Sequence, residues 1–280
     1  MPELPEAETV ARTLYPHVCN CVFRDVRLLR PSSLHPLSLP PNSLRDFKIN
    51  DVTRRAKLIL FNLENSGTTK NSPTRVLFHL RMTGRVFTAD ANREQGKHTR
   101  CVFDLRKPDG SSFQLFFDDI RTFGQIFIAN EELLNKWKFW RELGPEPLEL
   151  EIEDFAPRFK GSRAIKQALL DQRFVAGLGN IYADEALFLA RIAPSRPLNT
   201  LKDKEIKKLL ASIKTTLNAS IAQRGSSIKD YRDADGNAGA FQNSFAVYGR
   251  RGEKCANCGA ELIGTRLAGR ATVYCPNCQK

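Results

Sequence analysis

The sequence lacks several features that mark whole classes of protein. None of its apolar stretches approaches the roughly 20 residues that span a bilayer, so no membrane-spanning segment is predicted. The N-terminus has neither a basic head followed by an apolar core nor an arginine-rich amphipathic pattern, which excludes a secretory or transit peptide and predicts a cytoplasmic location. There is no internal repeat and no low-complexity tract. The proportions of 41 % hydrophobic and 26 % charged residues are those of a soluble globular protein.

Negative charge is also scarce relative to positive charge. The chain has 43 lysines and arginines against 31 aspartates and glutamates, a net charge of +12, and a pI of about 9.5. Such an excess attracts polyanions, and nucleic acid is the leading candidate partner. The alternative is a basic surface that serves only solubility. Residues 244–280 alone carry a net charge of +4, which favours a local phosphate-binding surface.

Hydrophobic patterning gives the first part of the 280-residue chain a β-rich character. Short runs of valine, isoleucine, leucine and phenylalanine between turn residues predict an antiparallel sandwich or barrel. A helix over about residues 5–15, with two prolines at its entrance and acidic residues in its first turn, precedes the strands. The predicted strands are 22–29, 58–63, 75–82, 100–106, 113–117 and 125–129, with a Pro-Asp-Gly hairpin turn at 108–110.

After Asn130 the periodicity becomes helical, and the fold class predicted for the whole chain is α+β with several domains. The predicted helices are 131–142, 152–159, 164–172, 181–191 and 203–223. Residues 225–243 are rich in glycine, serine, aspartate and asparagine without any period, which predicts a mobile loop of a length usually kept for lids. We therefore expect an N-terminal domain over 1–130, a helical domain over 131–243 that includes this loop, and a cysteine-rich module over 244–280.

Four of the seven cysteines form two Cys-x-x-Cys pairs separated by sixteen residues. An odd number of cysteines in a reducing compartment indicates metal ligands or buried thiols before disulfides. Two such pairs can close a thiolate tetrahedron around Zn²⁺, and four protein ligands leave no open position, so one structural zinc is predicted. The ligands are Cys255, Cys258, Cys275 and Cys278.

The residues between the cysteine pairs predict a β-hairpin. Alternating patterns over 262–266 and 272–274 give two strands, with Ala268-Gly269-Arg270 at the tip. A two-stranded ribbon of this kind pushes Arg270 outwards and can enter a DNA groove.

The segment from Gly177 to Tyr182 has a glycine-rich start. A dinucleotide-binding fingerprint is excluded because Tyr182 occupies the position of its third glycine and the preceding residues are helical. Two glycines that open a helix can instead offer backbone N–H groups to a single phosphate, with Asn180 as cap and additional donor. A glycine corner between two helices without any ligand is an equal alternative.

The first residues carry an unusual chemical possibility. Removal of Met1 before a small residue leaves Pro2 with a secondary amine, and an α-amino group with a pKa near 7.7 to 8 is partly neutral at physiological pH. Attack of that amine on a sugar aldehyde carbon gives an iminium, an electron sink like that of lysine Schiff-base enzymes. Glu3 and Glu6 can move the protons. The alternative is that these acids only stabilise the first turn of the helix.

Several motifs then resemble those of one family, formamidopyrimidine-DNA glycosylase, whose bacterial members remove oxidised purines such as 8-oxoguanine and nick the strand. The resemblance covers essentially the whole chain. The matching segments are Pro-Glu-Leu-Pro-Glu-Ala-Glu-Thr-Val at 2–10, Arg-Arg-Ala-Lys at 54–57, His-Leu-Arg-Met-Thr-Gly at 79–84, Asp-Ile-Arg-Thr-Phe-Gly at 119–124, Ala-Ile-Lys at 164–166, residues 177–183 and Gly-Arg-Ala-Thr at 269–272.

The resemblance implies an N-terminal catalytic β-sandwich, a helix-two-turns-helix domain and a zinc-finger hairpin. It implies that Pro2 is the nucleophile at the sugar carbon and Glu3 its acid/base partner, while Lys57 serves β-elimination. Arg270 becomes a phosphate clamp that also acts in the second elimination, and Glu6 a supporting residue that orients the N-terminal helix and helps to hold the flipped base.

The resemblance also implies a set of DNA contacts. A flipped base leaves a gap in the duplex, and Met82, Arg121 and Phe123 lie where the family places its wedge. The remaining implied contacts are His79, His98, Lys160, Lys166, Asn180 and Tyr248. Read without the family, Met82 and Phe123 are core residues, Arg121, Lys57 and Lys166 are surface charges, and His79 is a core histidine. Arg81 and Thr122 depart from the family's usual residues beside the wedge, and Ser66 to Pro73 lengthens a strand connection.

We therefore expect a bifunctional glycosylase and abasic-site lyase for oxidised purines in damaged double-stranded DNA. It would act in bacterial base excision repair through an iminium on Pro2 and successive β- and δ-eliminations. It needs no nucleotide cofactor, and the family implies a monomer in the cytoplasm with the nucleoid. The alternatives are a glycosylase of the same architecture for oxidised pyrimidines and a non-catalytic zinc-ribbon DNA-binding protein.

Overall fold

The computed structural model describes residues 2–64 and 72–280, which form two compact units. The first unit comprises the chain up to Arg141 together with residues 224–239, and the second comprises residues 142–223 and 240–280. The 224–239 segment therefore packs with the N-terminal unit, although it lies far along the chain. The three-domain division stays a prediction. The loop expected over 66–73 lies, as far as Asn71, outside the described residues, as does Met1.

The first unit combines one long helix with two antiparallel four-stranded sheets. Helix α1 (Leu4–Val18) precedes the strands. One sheet has the order β1 (Val22–Leu28), β6 (Thr99–Arg106), β7 (Ser112–Asp119), β5 (Gly84–Asp90), and the other has the order β2 (Ile49–Arg55), β3 (Leu58–Leu63), β4 (Arg75–His79), β8 (Gln125–Ala129). The short helices α2 (Glu131–Lys136) and α3 (Lys138–Arg141) end the continuous part of the unit.

Aromatic residues fill the space between the two sheets. The Phe78 ring lies 5.7 Å from the Phe103 ring and 6.1 Å from the Phe117 ring, measured between centroids, and these rings come from opposite sheets. One face of α1, with Val10 and Leu14 four residues apart, packs on the same core. The expected sandwich and its N-terminal helix are thus confirmed, and the core fixes the position of the helix whose first turn carries the predicted chemistry.

Two strands escaped prediction. β2 and β5 include charged and polar residues on both faces, so neither shows the clean alternation of a half-buried strand. The strand expected to reach Met82 ends at His79, because Arg81 adopts a positive φ of 51° and turns the chain. The turns at 80–83 and 120–124 therefore each follow the end of a strand.

The second unit is helical and ends in a small hairpin. Its helices are α4 (Ile152–Phe155), α5 (Ile165–Leu170), α6 (Asn180–Ala190) and α7 (Asp203–Ala222), and its strands are β9 (Ile263–Leu267) and β10 (Arg270–Tyr274). α7 buries Ile206, Leu209, Ile213 and Leu217, the spacing of one helix face. The hairpin pairs Arg270 with Leu267 across the predicted tip.

Several helix boundaries differ from the prediction. The helix expected over 131–142 breaks into α2 and α3 at Trp137, and the one expected over 152–159 keeps α-helical geometry only as far as Phe155. Asn180 is the first residue of α6, whose N-cap is Gly179, so the prediction that Asn180 caps the helix is wrong. In the part of the chain that is described, no helix has the length and apolar character needed to cross a membrane.

Candidate active site and DNA interface

Buried carboxylates surround the start of α1. Pro2, Glu3 and Glu6 are all buried, with Glu6 only 1 % exposed. Glu6 occupies the third helical position, and its Oε2 accepts a hydrogen bond of 2.7 Å from the Glu3 backbone N–H. This contact satisfies an amide that the helix itself leaves without a partner. The predicted nucleophile therefore lies directly before a helix start that is fixed by side-chain hydrogen bonding.

The other oxygen of Glu6 holds the 224–239 segment. Glu6 Oε1 accepts a 2.8 Å hydrogen bond from the Ser226 N–H, and the Tyr231 hydroxyl donates to the Glu6 carbonyl over 3.3 Å. Gly225 has a φ of +78°, and a Cβ there would lie 2.8 Å from Glu6 Oε1, so both backbone conformation and space require glycine. The segment predicted as a lid is thus attached to the same carboxylate that fixes the helix start.

Lys57 lies in the two-residue turn between β2 and β3 and is nearly buried. The Arg54 guanidinium ties this hairpin to α1, because its Nε lies 2.8 Å from Glu8 Oε2 while its Nη1 donates to the Ala56 carbonyl over 3.0 Å. Ala56 adopts a positive φ of 54°. The turn that carries Lys57 is therefore held on the helix that follows Pro2.

The residues predicted as a wedge are exposed, as such a role requires. Met82 is 42 % and Phe123 53 % exposed, unusual values for large apolar side chains, and the Arg121 guanidinium lies 5.1 Å from the centroid of the Phe123 ring. The interpretation of Met82 and Phe123 as core residues is excluded. Thr122 between the last two has a φ of +60°, a strained value for a β-branched residue.

One buried carboxylate, Asp119, joins the two turns that carry the wedge. Its Oδ1 accepts from the Thr83 hydroxyl at 2.5 Å and from the Arg121 N–H at 3.2 Å, and its Oδ2 accepts from the Gly124 N–H at 2.7 Å. Carboxylates that accept several backbone N–H bonds are strong positioning groups. Asp119 was not selected from the sequence, although it begins the motif that contains Arg121 and Phe123.

His79 and His98 occupy different environments. His79 is buried, and its Nδ1 accepts the Arg81 N–H over 3.1 Å. Burial, together with the charges of Arg81 and Lys57, lowers the pKa of His79 to about 3, so the ring is neutral at physiological pH. His98 is half-buried and lines a cavity of about 330 Å³. The cavity's other lining residues are Thr83, Arg85, Asp118, Asp119, Ile120, Lys229, Asp230 and Arg232.

In the second unit, Lys160 is exposed and Tyr248 is half-buried. The Tyr248 loop is fixed by Glu185 of α6, whose carboxylate accepts the backbone N–H groups of Ala246, Val247 and Tyr248 at 2.8 to 3.0 Å. Burial raises the pKa of Glu185, and these three donors oppose that rise. Glu185 is a second carboxylate that the sequence reasoning missed.

Lys166 is buried inside the second unit. Its exposed fraction is 0 %, and its Nζ forms an ion pair of 2.6 Å with Asp184. It also donates to the Ala271 carbonyl at 3.0 Å and to the Thr272 hydroxyl at 2.8 Å. A side chain without exposed surface cannot reach a DNA phosphate, so the structure replaces the predicted DNA contact by an internal one. Asn180 Nδ2 likewise donates to Ala271 over 2.9 Å.

The four cysteines of the C-terminal pairs converge at the base of the hairpin. Their sulfur atoms all lie within 4.8 Å of one another, with 3.9 Å from Cys255 to Cys278 and 3.5 Å from Cys258 to Cys275. A tetrahedron with metal–sulfur bonds of about 2.3 Å has edges of about 3.8 Å, so the set fits Zn²⁺. Four thiolates leave no open position, and the prediction of one structural zinc is confirmed.

Arg270 is exposed at the start of β10, directly after the tip. The tip is formed by Ala268 and Gly269, both at positive φ. A rigid ribbon that presents an exposed guanidinium has the chemistry of a phosphate contact. The fold and these sites together define a zinc-finger DNA-binding protein with a candidate nucleophile, Pro2, at its N-terminus.

Comparison with known proteins agrees with this class. Residues 1–126 match the formamidopyrimidine-DNA glycosylase N-terminal domain, residues 143–232 the H2TH domain of the same enzyme, and residues 252–280 the zinc finger found in FPG and IleRS. The formamidopyrimidine-DNA glycosylase of Desulfitobacterium hafniense is 42 % identical over the full length of both chains. That of Nitratidesulfovibrio vulgaris is 52 % identical over 72 % of this chain and 55 % of its own.

Solved structures are similar over the same range. A Lactococcus lactis FPG variant in complex with DNA containing Fapy-dG is 33 % identical, covers 100 % of both chains and has a TM-score of 0.88. The Lactococcus lactis Fpg in complex with DNA containing an abasic site has a TM-score of 0.86 at 33 % identity and 99 % coverage of both chains. The chain belongs to the formamidopyrimidine-DNA glycosylase family, and it is a DNA-binding glycosylase of DNA repair. Neither alternative from the sequence is favoured.

Proposed function

We propose that the protein excises oxidised purines from duplex DNA and then cleaves the strand as a lyase, with Pro2 as nucleophile. The observation that carries this proposal is the position of Pro2 immediately before a helix start held by buried Glu3 and Glu6. Once the preceding residue is removed, the Pro2 nitrogen can attack C1′ of the damaged nucleotide while the bond to the base breaks. Loss of the amine proton and cleavage of the C1′–O4′ bond, with a proton taken up by O4′, then give an open-chain iminium that withdraws electrons from the sugar.

The eliminations need groups that move protons and stabilise phosphates as they leave. Glu3 is the proposed acid/base partner of Pro2, and Lys57 is the cation for β-elimination, which removes a proton at C2′ and releases the 3′ phosphate. Arg270 is proposed to clamp a phosphate and to assist the second, δ-elimination. Glu6 supports the reaction indirectly, because its two oxygens fix the helix start and the 224–239 segment.

The exposed wedge fits a flipped nucleotide. Unstacking a base costs a few kcal/mol, and apolar side chains that enter the stack offset part of this cost. Met82 and Phe123 would fill the gap, and Arg121 would hydrogen-bond the orphaned base. His79 has a neutral, buried ring, and it is proposed to support DNA binding by fixing the turn that carries Met82. His98, Lys160, Asn180 and Tyr248 are proposed as further DNA contacts.

Two broader features accompany this function. The net charge of +12 fits a DNA partner, and each phosphate neutralised should contribute about 0.9 to the slope of log affinity against log salt. We also propose that the protein acts as a monomer in the bacterial cytoplasm with the nucleoid and uses no nucleotide cofactor.

Borohydride trapping tests the proposal. The purified protein is first weighed intact to verify loss of Met1, then mixed with a duplex containing 8-oxoguanine and borohydride, which reduces the iminium to a stable amine. A covalent protein–DNA complex is expected with this duplex and not with the undamaged one. Absence of the complex would refute the lyase. Stronger trapping on a duplex with an oxidised pyrimidine would overturn the proposed substrate class.

A further inference from the structure

The second unit buries a charged pair that takes no part in the reaction proposed above. Lys166 on α5 is 0 % and Asp184 on α6 is 1 % exposed, and their charged atoms lie 2.6 Å apart. Removing two charges from water is costly, and such pairs add little stability compared with apolar residues of similar volume. Burial raises the pKa of Asp184 to about 6 despite the opposing Lys166 charge, which reflects that cost. The pair therefore calls for a role beyond packing.

Two further side-chain hydrogen bonds of Lys166 end on the hairpin. An ammonium group has three N–H donors. One points to Asp184, and the other two reach the Ala271 carbonyl and the Thr272 hydroxyl at 3.0 and 2.8 Å. The side chain thus spans from the helical core to the two residues that follow Arg270.

Further bonds extend this connection in both directions along β10. The Thr272 hydroxyl donates to the Arg270 carbonyl over 3.2 Å, and Asp184 Oδ2 accepts the Val273 N–H over 3.3 Å. Residues 270 to 273 are therefore each linked to the helices directly or through one hydroxyl. Thr272 is fully buried and Arg270 is exposed. The buried network therefore ends at the backbone carbonyl of a residue whose side chain is in solvent.

Zinc cannot provide this positioning alone. Its ligands Cys275 and Cys278 follow the end of β10, whereas Arg270 lies at the other end of that strand. The outer strand β9 is mostly exposed and gives the tip no support from the core. The Lys166 network fixes β10 on its inner face near the tip, together with the Asn180 amide, which donates to the Ala271 carbonyl over 2.9 Å.

We infer that Lys166, Asp184 and Thr272 form a positioning relay that sets the backbone of Arg270, so that its guanidinium meets a DNA phosphate in one orientation. This inference rests on the proposed role of Arg270 and assigns Lys166 to positioning, with no DNA contact of its own. Loss of the relay should then remove the Arg270 contact while leaving the other phosphate contacts in place.

The test is a double-mutant cycle read out by salt dependence. Affinity for a duplex with an abasic-site analogue is measured across a salt series for the wild type, Arg270→Ala, Lys166→Met and the double variant, each with verified zinc content and thermal melting. Arg270→Ala should lower the slope of log affinity against log salt by about 0.9, the value for one lost phosphate. Lys166→Met should lower it similarly, and the double variant should show no further loss.

A matched pair at Thr272 keeps the inference testable if Lys166→Met does not fold. Thr272→Ser keeps the hydroxyl and should retain the wild-type slope. Thr272→Val keeps the shape without the hydroxyl and should lose part of the Arg270 contribution, together with a smaller share of δ-elimination product from abasic DNA. Rescue by serine separates a hydrogen-bonding role from simple packing.

The outcomes distinguish failure of the Arg270 phosphate clamp from failure of the Lys166 relay. If Arg270→Ala leaves the salt slope unchanged, the proposed phosphate clamp is wrong. If Arg270→Ala lowers the slope but folded, zinc-loaded Lys166→Met and Thr272→Val keep the wild-type value, the relay is refuted while the clamp stands. Additive losses in the double variant would also refute the relay.

Discussion

The helix start at Pro2 and the tip at Arg270 are held in place by different kinds of interaction. Both must present one reactive or charged group in a fixed orientation. At the helix start, the single carboxylate of Glu6 accepts two backbone amides, one local and one 220 residues away in sequence. At the tip, a metal holds one end of the hairpin and a buried ion pair holds the other.

The difference follows from the size of the surrounding core. α1 packs on the large aromatic core of the sandwich, so its first turn needs only hydrogen bonds to be fixed. The hairpin belongs to a small cluster around Val247, Leu262 and Val273, too small to hold two strands by burial alone. A metal and a buried ion pair hold the two strands where the small apolar cluster alone does not.

Zinc removal should produce the largest difference in behaviour between the helix start and the hairpin tip. Structural zinc contributes roughly 10–16 kcal/mol of apparent binding energy in isolated zinc fingers, so chelation should unfold residues 255–278 and abolish incision. Hydrogen exchange should show loss of protection at Val273 and Cys275 with unchanged protection at Ser226. Incision that persists after verified zinc loss would contradict the role of the hairpin.

Replacing Pro2 by glycine should give the next largest effect, and only at the helix start. Pro2→Gly replaces the secondary amine by a primary one, whose imine is a weaker electron sink unless it is protonated, so borohydride trapping and strand cleavage should fall sharply. Affinity for the damaged duplex should stay within about tenfold, or about 1.4 kcal/mol, because the DNA contacts are elsewhere. A collapse of binding would indicate that the N-terminus is structural.

Glu6→Gln tests whether one carboxylate really supports two amides. The amide side chain has one oxygen, so either the Glu3 or the Ser226 N–H then faces an NH₂ group. We expect a loss of about 1–3 kcal/mol in the free energy of unfolding and faster exchange of the Ser226 amide.

The matched control for Glu6→Gln is Asp235→Asn, which breaks an exposed 2.8 Å pair with His17 on the same segment and helix. It should cost less than about 1 kcal/mol. Equal losses for the two variants would contradict the special position of Glu6.

The last prediction concerns pH and His79. Because its folded pKa of about 3 lies below the ordinary value of 6.5, the unfolded chain binds more protons between these values. Stability should therefore rise with pH from about 3 to 6.5 and be fully present above that, by at most about 1.4 kcal/mol per pH unit from this group. Urea unfolding of wild type and His79→Asn at pH 4 to 7 measures the difference. An unchanged pH dependence in the variant would show that His79 does not titrate as described.

Local chemistry made much of the site predictable. The zinc ligands follow from spacing in the sequence, and the glycines at 177 and 179 mark the start of α6 because backbone conformation is a local property. Exposure is not local. Met82 and Phe123 have the composition of core residues, and only their place on two turns after strand ends puts them in solvent.

Long-range partners were beyond prediction for the same reason. Lys166 has the composition of a surface residue, and its burial depends on Asp184 from another helix and on Thr272 from a strand 106 residues away. The partnership of Glu6 with Ser226 likewise joins residues 220 positions apart in the sequence. β2 was missed because its pairing with β3 outweighs a polar composition.

The placement of residues 224–239 in the first unit has a consequence for how this chain can be divided. The polypeptide passes from one unit to the other at Arg141, at Gln223 and again at Gly239. A fragment that stops at Arg141 would lack the Ser226 amide and the Tyr231 hydroxyl, and would leave Glu6 with part of its hydrogen bonding unmade. No single cut or recombination point therefore yields the whole first unit. A fragment or chimera that keeps this unit intact must contain both of its segments.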